Sequence, residues 1–154
     1  MPIHVELVTQ ERKVFEELAA DIVVLPAAEG EMGVLPNHAP VLTTLTFGEM
    51  VVRKGGAEER FVIYGGVVDV RPDKVVVLAD LADSSYSIDL ERAEAARRRA
   101  AEHLAKGLPP EQNREAALEL RRAELQLRVR RKIGTSGSGG LRILSEDEAE
   151  NGKG

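Results

Sequence analysis

Cysteine and tryptophan are missing from the 154 residues, and aromatic side chains of all kinds amount to only 3%. Without cysteine there is no disulfide framework, thiolate nucleophile or cysteine-based zinc site, which suits a reducing compartment. No apolar run approaches the roughly 20 residues that a membrane-spanning helix requires. The opening MPIHVELVTQERK lacks the basic-then-apolar order of a secretory signal, so the expected place is the cytoplasm. Catalytic signatures are equally scarce: there is no Gly-x-x-x-x-Gly-Lys-Ser/Thr phosphate loop, His-Glu-x-x-His pair or Gly-x-Ser-x-Gly elbow. Of the three histidines, His4, His38 and His103, only His38 offers an enzyme a foothold, in a Pro-flanked loop with Glu29 and Glu31 close by in sequence. A histidine in such a loop braces the chain far more often than it acts as a general base. Neither catalysis nor a metal site is expected.

What is present divides by charge. Residues 1–90 carry 7 Lys/Arg against 15 Asp/Glu, whereas residues 91–133 carry 12 against 7. An acidic body with a basic arm suggests two modules with different partners. IHVELVT alternates apolar Ile3, Val5 and Leu7 with polar neighbours, as a half-buried strand does. DIVVLP, EMVVR, RFVIYGG, VVDVRP and KVVVLAD follow at short intervals, rich in β-branched residues. Gly55 and Gly56 supply a hairpin turn, and Pro72 a second turn. The pattern predicts an all-β sandwich over residues 1–86, two packed antiparallel sheets without an intervening helix.

From Ser87 the period becomes helical. SIDLERAEAARRRAAEHLAKG offers Ser87 or Asp89 as an N-cap and Gly107 as a stop, and REAALELRRAELQLRVRRKI resumes after the break at GLPPEQN. Leu118 and Leu125, and Leu120 and Leu127, recur seven apart, giving two apolar stripes. A C-terminal α-helical hairpin over 87–133 is predicted, weakly held because its first helix is armed mainly with alanine. GTSGSGG and the acidic tail LRILSEDEAENGKG, residues 134–154, read as a flexible linker with the look of an engineered joint and a disordered end.

Taken in order, EGEMGVLPNHAPVLTTL (29–45), YGGVVDVRPDKVVVLAD (64–80) and a hairpin opening with IDLERA closely resemble the epsilon subunits of F-type ATP synthases, over residues 1 to about 133. The resemblance implies a sandwich of about ten strands followed by two helices, and a non-catalytic rotor subunit of the central stalk in a proton-transporting enzyme. Its implied partners are the gamma subunit, the c-ring and the alpha and beta subunits. Its implied place is the cytoplasmic face of the bacterial inner membrane, held peripherally through the complex without insertion. In the family the sandwich joins gamma to the c-ring, and the hairpin lies folded or extends along gamma to inhibit ATP hydrolysis.

Carried over to this chain, the ring- and gamma-facing positions are Glu29, Gly30, Glu31 and His38, in an acidic loop and a Pro-x-His-Ala-Pro turn stiffened by Pro36 and Pro40. Asn37 stands where family members often have glycine, a change compatible with a left-handed turn. The inhibitory arm falls on Arg121, Arg122, Arg128, Arg130, Arg131 and Lys132, cations suited to acidic segments of the beta subunits. No cofactor is obligatory. IDLERA matches the family's nucleotide motif at Ile88, Asp89, Arg92 and Ala93, with Arg99 and the acid Asp83 beside it, so ATP is expected as a regulatory ligand that is bound and not hydrolysed. Here the chain departs from the pattern: Val129 and Ile133 stand near where ATP-binding members offer cations, and Arg122, Arg128 or Arg130 would have to substitute. Capping by Asp89 and its pairing with Arg92 at i, i+3 would explain the same residues without ATP. The rival reading is a basic hairpin binding nucleic acid. Six cations in twelve residues suit phosphates, but the hairpin has no aromatic residue for base stacking, so nucleic acid is not an expected partner.

Overall fold

β1 (Ile3–Val8) and β7 (Lys74–Ala79), both rich in β-branched residues, lie side by side, each with alternate side chains buried. A computed structural model describes residues 2–133; the expected linker and acidic tail, 134–154, lie outside them. The described chain divides into two compact units between Asp83 and Ser84.

In the first unit the remaining strands are β2 (Lys13–Ala20), β3 (Ile22–Ala27), β4 (Gly30–Val34), β5 (Val41–Lys54), β6 (Ala57–Val70) and β8 (Ala82–Ser84). They hydrogen-bond in the order β2-β1-β7-β6-β5-β3-β4, with β8 beside β6. Phe15 of β2 and Phe61 of β6 stand three strands apart along that path, about 14 Å in a flat sheet, yet their ring centroids are 4.9 Å apart. Glu17 of β2 likewise reaches Lys54 of β5 at 2.8 Å. The sheet is therefore folded over on itself into a sandwich, with Ile3, Val5, Leu7, Phe15, Leu25, Met50, Phe61 and Ile63 in its dry centre.

This is the sandwich the strand pattern predicts, with two refinements. Among the described residues there are eight strands in one hydrogen-bonded sheet, seven on a single path with β8 beside it, where about ten in two antiparallel sheets are expected. The 14-residue β5 and β6 pair along nearly their whole length and serve both layers, and β1 and β7 run parallel. Glycines permit the long strands to turn the corner. A Cβ on Gly66, at φ 132°, would run into the Leu78 carbonyl, and one on Gly48 into Pro26. The expected hairpin turn is present, with Lys54 paired to Ala57 across Gly55 and Gly56.

In the second unit, Ser84 opens a short 3-10 turn (Ser85–Ser87) by accepting from the Tyr86 amide, and Asp89 caps α1 (Leu90–Ala105). Gly107, at φ 63°, ends that helix. Pro110 opens α2 (Pro110–Ile133), where a missing N–H costs nothing. Asn113 Nδ2 donates to the Leu108 carbonyl at 2.7 Å and braces the connection. The helices form the predicted hairpin. The buried residues of α1 are Ala93 and Ala100 alone, while α2 buries Ala116, Ala123, Leu125, Leu127 and Val129. Small side chains let the helices approach closely and remove little apolar area from water.

Candidate functional site

In the sandwich, the residues expected to form an acidic loop are partly strand. The connection between β3 and β4 is only Ala28–Glu29, because Ala27 pairs with Gly30 and Pro26 with Glu31. Gly30 at φ 136° permits the tight turn, and the carboxylates of Glu29 and Glu31 are solvent-exposed. Ala28 N–H donates to the Thr44 carbonyl, fixing this hairpin tip beside the first half of β5. The Pro-Asn-His-Ala-Pro turn is pinned near the start of β5. Asn37 N–H donates to the Pro72 carbonyl at 2.8 Å, next to the Val41–Val70 pair. Asn37 takes φ 66°, the left-handed position expected of it. His38 Nδ1 lies 2.8 Å from its neighbour's carbonyl at Ala39, so that nitrogen carries the proton and donates; the ring braces the turn. Exposed Leu35 and Leu42 flank it. The fold thus gathers two acids, a stiff turn and two bare leucines around the N-terminal part of β5, a surface suited to gripping rather than to chemistry.

In the helical unit, Asp89 Oδ1 accepts from the Glu91 and Arg92 amides at 3.0 and 3.2 Å, satisfying two of the helix's orphan donors. Ile88 and Ala93 are buried and therefore packing positions. Arg92 and Arg99 are exposed and, at 3.6 residues per turn, share a flank of α1. Asp83 belongs to the first unit, where its carboxylate accepts the Tyr64 hydroxyl at 2.8 Å. The six expected arm cations do not form one face. Arg121, Arg128, Arg131 and Lys132 are exposed, whereas Arg122 and Arg130 are half-buried. The helical period puts those two on other sides of α2.

Two clusters escaped sequence reasoning. Arg97 of α1 joins Glu124, Leu127, Arg128, Arg131 and Lys132 of α2 around an open groove of about 610 Å³. The second lies on the outer face of the sandwich, where His4 Nε2 is 3.5 Å from Glu6 Oε1 and 3.2 Å from Glu16 Oε2. These three atoms are close enough together to share a cation, but ammonium groups already serve them: Lys13 Nζ is 2.9 Å from Glu16 and Lys74 Nζ 3.4 Å from Glu6. The hydrogen bond from Lys13 holds the Glu16 carboxyl down at about 2 against the opposing pull of burial, and the Lys13 ammonium is raised in return, first by that same bond. The period-2 alternation of β1 put His4 and Glu6 on one face; the register that adds Glu16 and Lys74 was not in the pattern.

Comparison with known proteins places this geometry. Residues 2–85 match the family model described as "ATP synthase, Delta/Epsilon chain, beta-sandwich domain", and residues 87–130 the "long alpha-helix domain" of the same chains. The chain belongs to the ATP synthase delta/epsilon family. An ATP synthase epsilon chain of Dehalococcoides mccartyi is 44% identical over 131 residues, 84% of this chain and 93% of the relative. That of Pelotomaculum thermopropionicum is 52% identical over 101 residues, 66% of this chain and 75% of its own. Among solved structures, a chain of the Euglena gracilis mitochondrial ATP synthase, OSCP/F1/c-ring in rotational state 1, superposes with a TM-score of 0.62 at 24% identity, covering 87% of this chain and 80% of its own. One from the Tetrahymena thermophila mitochondrial ATP synthase central stalk and c-ring gives 0.54 at 15%, covering 84% and 97%. At those identities the likeness is one of fold. As an epsilon chain of the family this is a non-catalytic subunit of ATP synthase. Among the described residues no helix is long and apolar enough to cross a membrane.

Proposed function

We propose that this chain works in the rotor of a bacterial F-type ATP synthase, its sandwich joining the gamma subunit to the c-ring and its hairpin restraining ATP hydrolysis. The observation that carries the reading is the grouping of Glu29, Glu31, His38, Leu35 and Leu42 at one end of a sandwich whose family relatives are epsilon chains. Two exposed acids at a hairpin tip, Glu29 in its two-residue turn and Glu31 at the start of β4, meet basic polar loops of a ring at little backbone cost, and the prolines keep the neighbouring turn stiff before binding. The subunit sits peripherally, on the cytoplasmic face of the inner membrane, through its partners. The arm acts through Arg121, Arg128, Arg131 and Lys132, exposed cations of α2, toward acidic segments of the catalytic subunits. ATP is the regulatory ligand of the α1 flank bearing Arg92 and Arg99. Asp89 is already bound to two backbone amides, so its remaining acceptor capacity is what a ligand would meet.

A pull-down of the full chain with gamma and c subunits tests the adaptor role, and loss of both bindings would sink it. A chain ending at Ser85 should still assemble, and hydrolysis by the assembled enzyme should rise. Unchanged hydrolysis, where the full chain inhibits, would remove the hairpin from regulation. Calorimetry with ATP on the full chain and on Arg92→Ala and Arg99→Ala tests the ligand. No heat at millimolar ATP would leave IDLERA as helix capping.

A further inference from the structure

Glu6 of β1 and Glu16 of β2 stand directly opposite each other across their antiparallel pair, an arrangement of like charges that is unfavourable without a cation between them. His4, two residues before Glu6 on the same face of β1, completes a triad of metal-ligating side chains. Its Nε2 is 3.5 Å from Glu6 Oε1 and 3.2 Å from Glu16 Oε2, and all three donor atoms lie within 4.8 Å of one another. Two donors held by one tetrahedral zinc ion at about 2.0–2.1 Å are themselves about 3.3–3.4 Å apart. The triad therefore already has two edges of such a tetrahedron, with the strand pairing holding both carboxylates in place. At rest two ammonium groups neutralise those carboxylates. Lys13 Nζ is 2.9 Å from Glu16 Oε2, but it is 3.6 Å from Glu6 Oε1, and Lys74 Nζ is 3.4 Å from that oxygen, beyond the usual N–H···O range. Both lysines are partly exposed, so their flexible stems can swing the charge out into water.

We propose that His4 Nε2, Glu6 Oε1 and Glu16 Oε2 bind a divalent ion of the zinc class, with water in the fourth position and the Lys13 and Lys74 ammoniums displaced. Charge balances, since one divalent cation takes the place of two monovalent ones against the same two carboxylates. One imidazole nitrogen with two carboxylates suits zinc better than magnesium or calcium, which call for six or more oxygen ligands. All three side chains are partly exposed, which leaves the outer position open to solvent. The ion clasps β2, the strand that ends the hydrogen-bonded order, to its neighbour β1. Binding to the folded sandwich alone then stabilises that edge by mass action. The site is independent of the rotor role and of any ligand of the helices.

The test is calorimetry of the full chain with zinc chloride in a non-chelating buffer, with hydrogen exchange measured beside it. One saturable site is expected, weakened about tenfold or more by His4→Ala and by Glu16→Gln. Lys13→Met should tighten it a few-fold by removing a competing cation, an effect that partial unfolding cannot imitate. His103→Ala, an exposed histidine of α1, should leave it unchanged. Bound zinc should slow exchange of the β2 amides and leave those of α1 and α2 as they were. Absence of saturable binding at millimolar zinc overturns the proposal. So does binding indifferent to His4→Ala, which would put the ion on other acids of the chain. Equal affinity for magnesium also overturns it, reducing the triad to diffuse negative charge, and so does Lys13→Met binding zinc more weakly than the unaltered chain.

Discussion

The two units of this chain are held together by different means. The sandwich buries two phenylalanines in contact, flanked by Ile3, Leu7, Leu25 and Met50 at full burial, and ties its outer faces with ion pairs such as Lys13–Glu16 and Arg53–Glu58. The hairpin closes on α1 through alanine and on α2 through alanine and a few leucines. Burial of a phenylalanine removes several times the apolar area of an alanine. One unit is thus built to stay in a single shape while the other can be opened cheaply. That contrast suits a rigid adaptor joined to a regulatory arm.

The largest test of the contrast is Phe61→Ala. It should cost the sandwich about 3–5 kcal/mol and strip hydrogen-exchange protection from the strands, leaving the helical amides as before. If the helices lose protection in parallel, the two units share one stability. Overpacking the seam with Ala100→Leu should cost the helical unit about 1–3 kcal/mol and raise exchange in α1 and α2 only. Asp89→Ala should cost about 1 kcal/mol, read as faster exchange in the first turn of α1; protection unchanged there would mean that the cap is redundant.

The smallest effect is a pH dependence in the sandwich. The folded carboxyl of Glu16 is depressed from 4.5 to about 2, so its stabilisation is complete above 4.5 and is lost as the pH falls through that window. Lys13→Met removes the main cause. The melting temperatures of the two proteins should differ modestly above 4.5, by an amount near the value of a part-exposed ion pair, and draw together as the pH falls toward 2. A gap that stays constant over that range would place the loss in the lysine's packing instead.

Much of the fold was legible because each unit follows its own period. Alternation marked β1, β-branched content marked β7, the Gly55–Gly56 pair marked its turn, and Asp89 with Gly107 bounded the first helix. β2 was not legible: KVFEELAA mixes two glutamates and two alanines with its apolar residues, and becomes a strand only by pairing with β1. β4 was read as loop because GEMGV has little β-branched content; its pairing with β3 makes it a strand and places Glu31 within it. The candidate ring-facing residues were legible as motifs, and their gathering at one end of β5 was not. Arg97 was invisible as a groove residue, since nothing in RRR distinguishes the first arginine from the other two until α2 lies alongside.

Sequence by itself determined the class of each unit and the family, because hydrophobic period, caps and turn residues act over a few positions and are written locally. Only the tertiary structure decided that one sheet folds into both layers, that β1 runs parallel to β7, that the six arm cations part company around α2, and that four cations meet over a groove. Each of those depends on register and crossing between segments distant in the chain. Many registers bury the same apolar residues, and the choice among them rests on packing, on the few glycines that let strands bend, and on ion pairs such as Lys13–Glu16 formed only once the strands are in place.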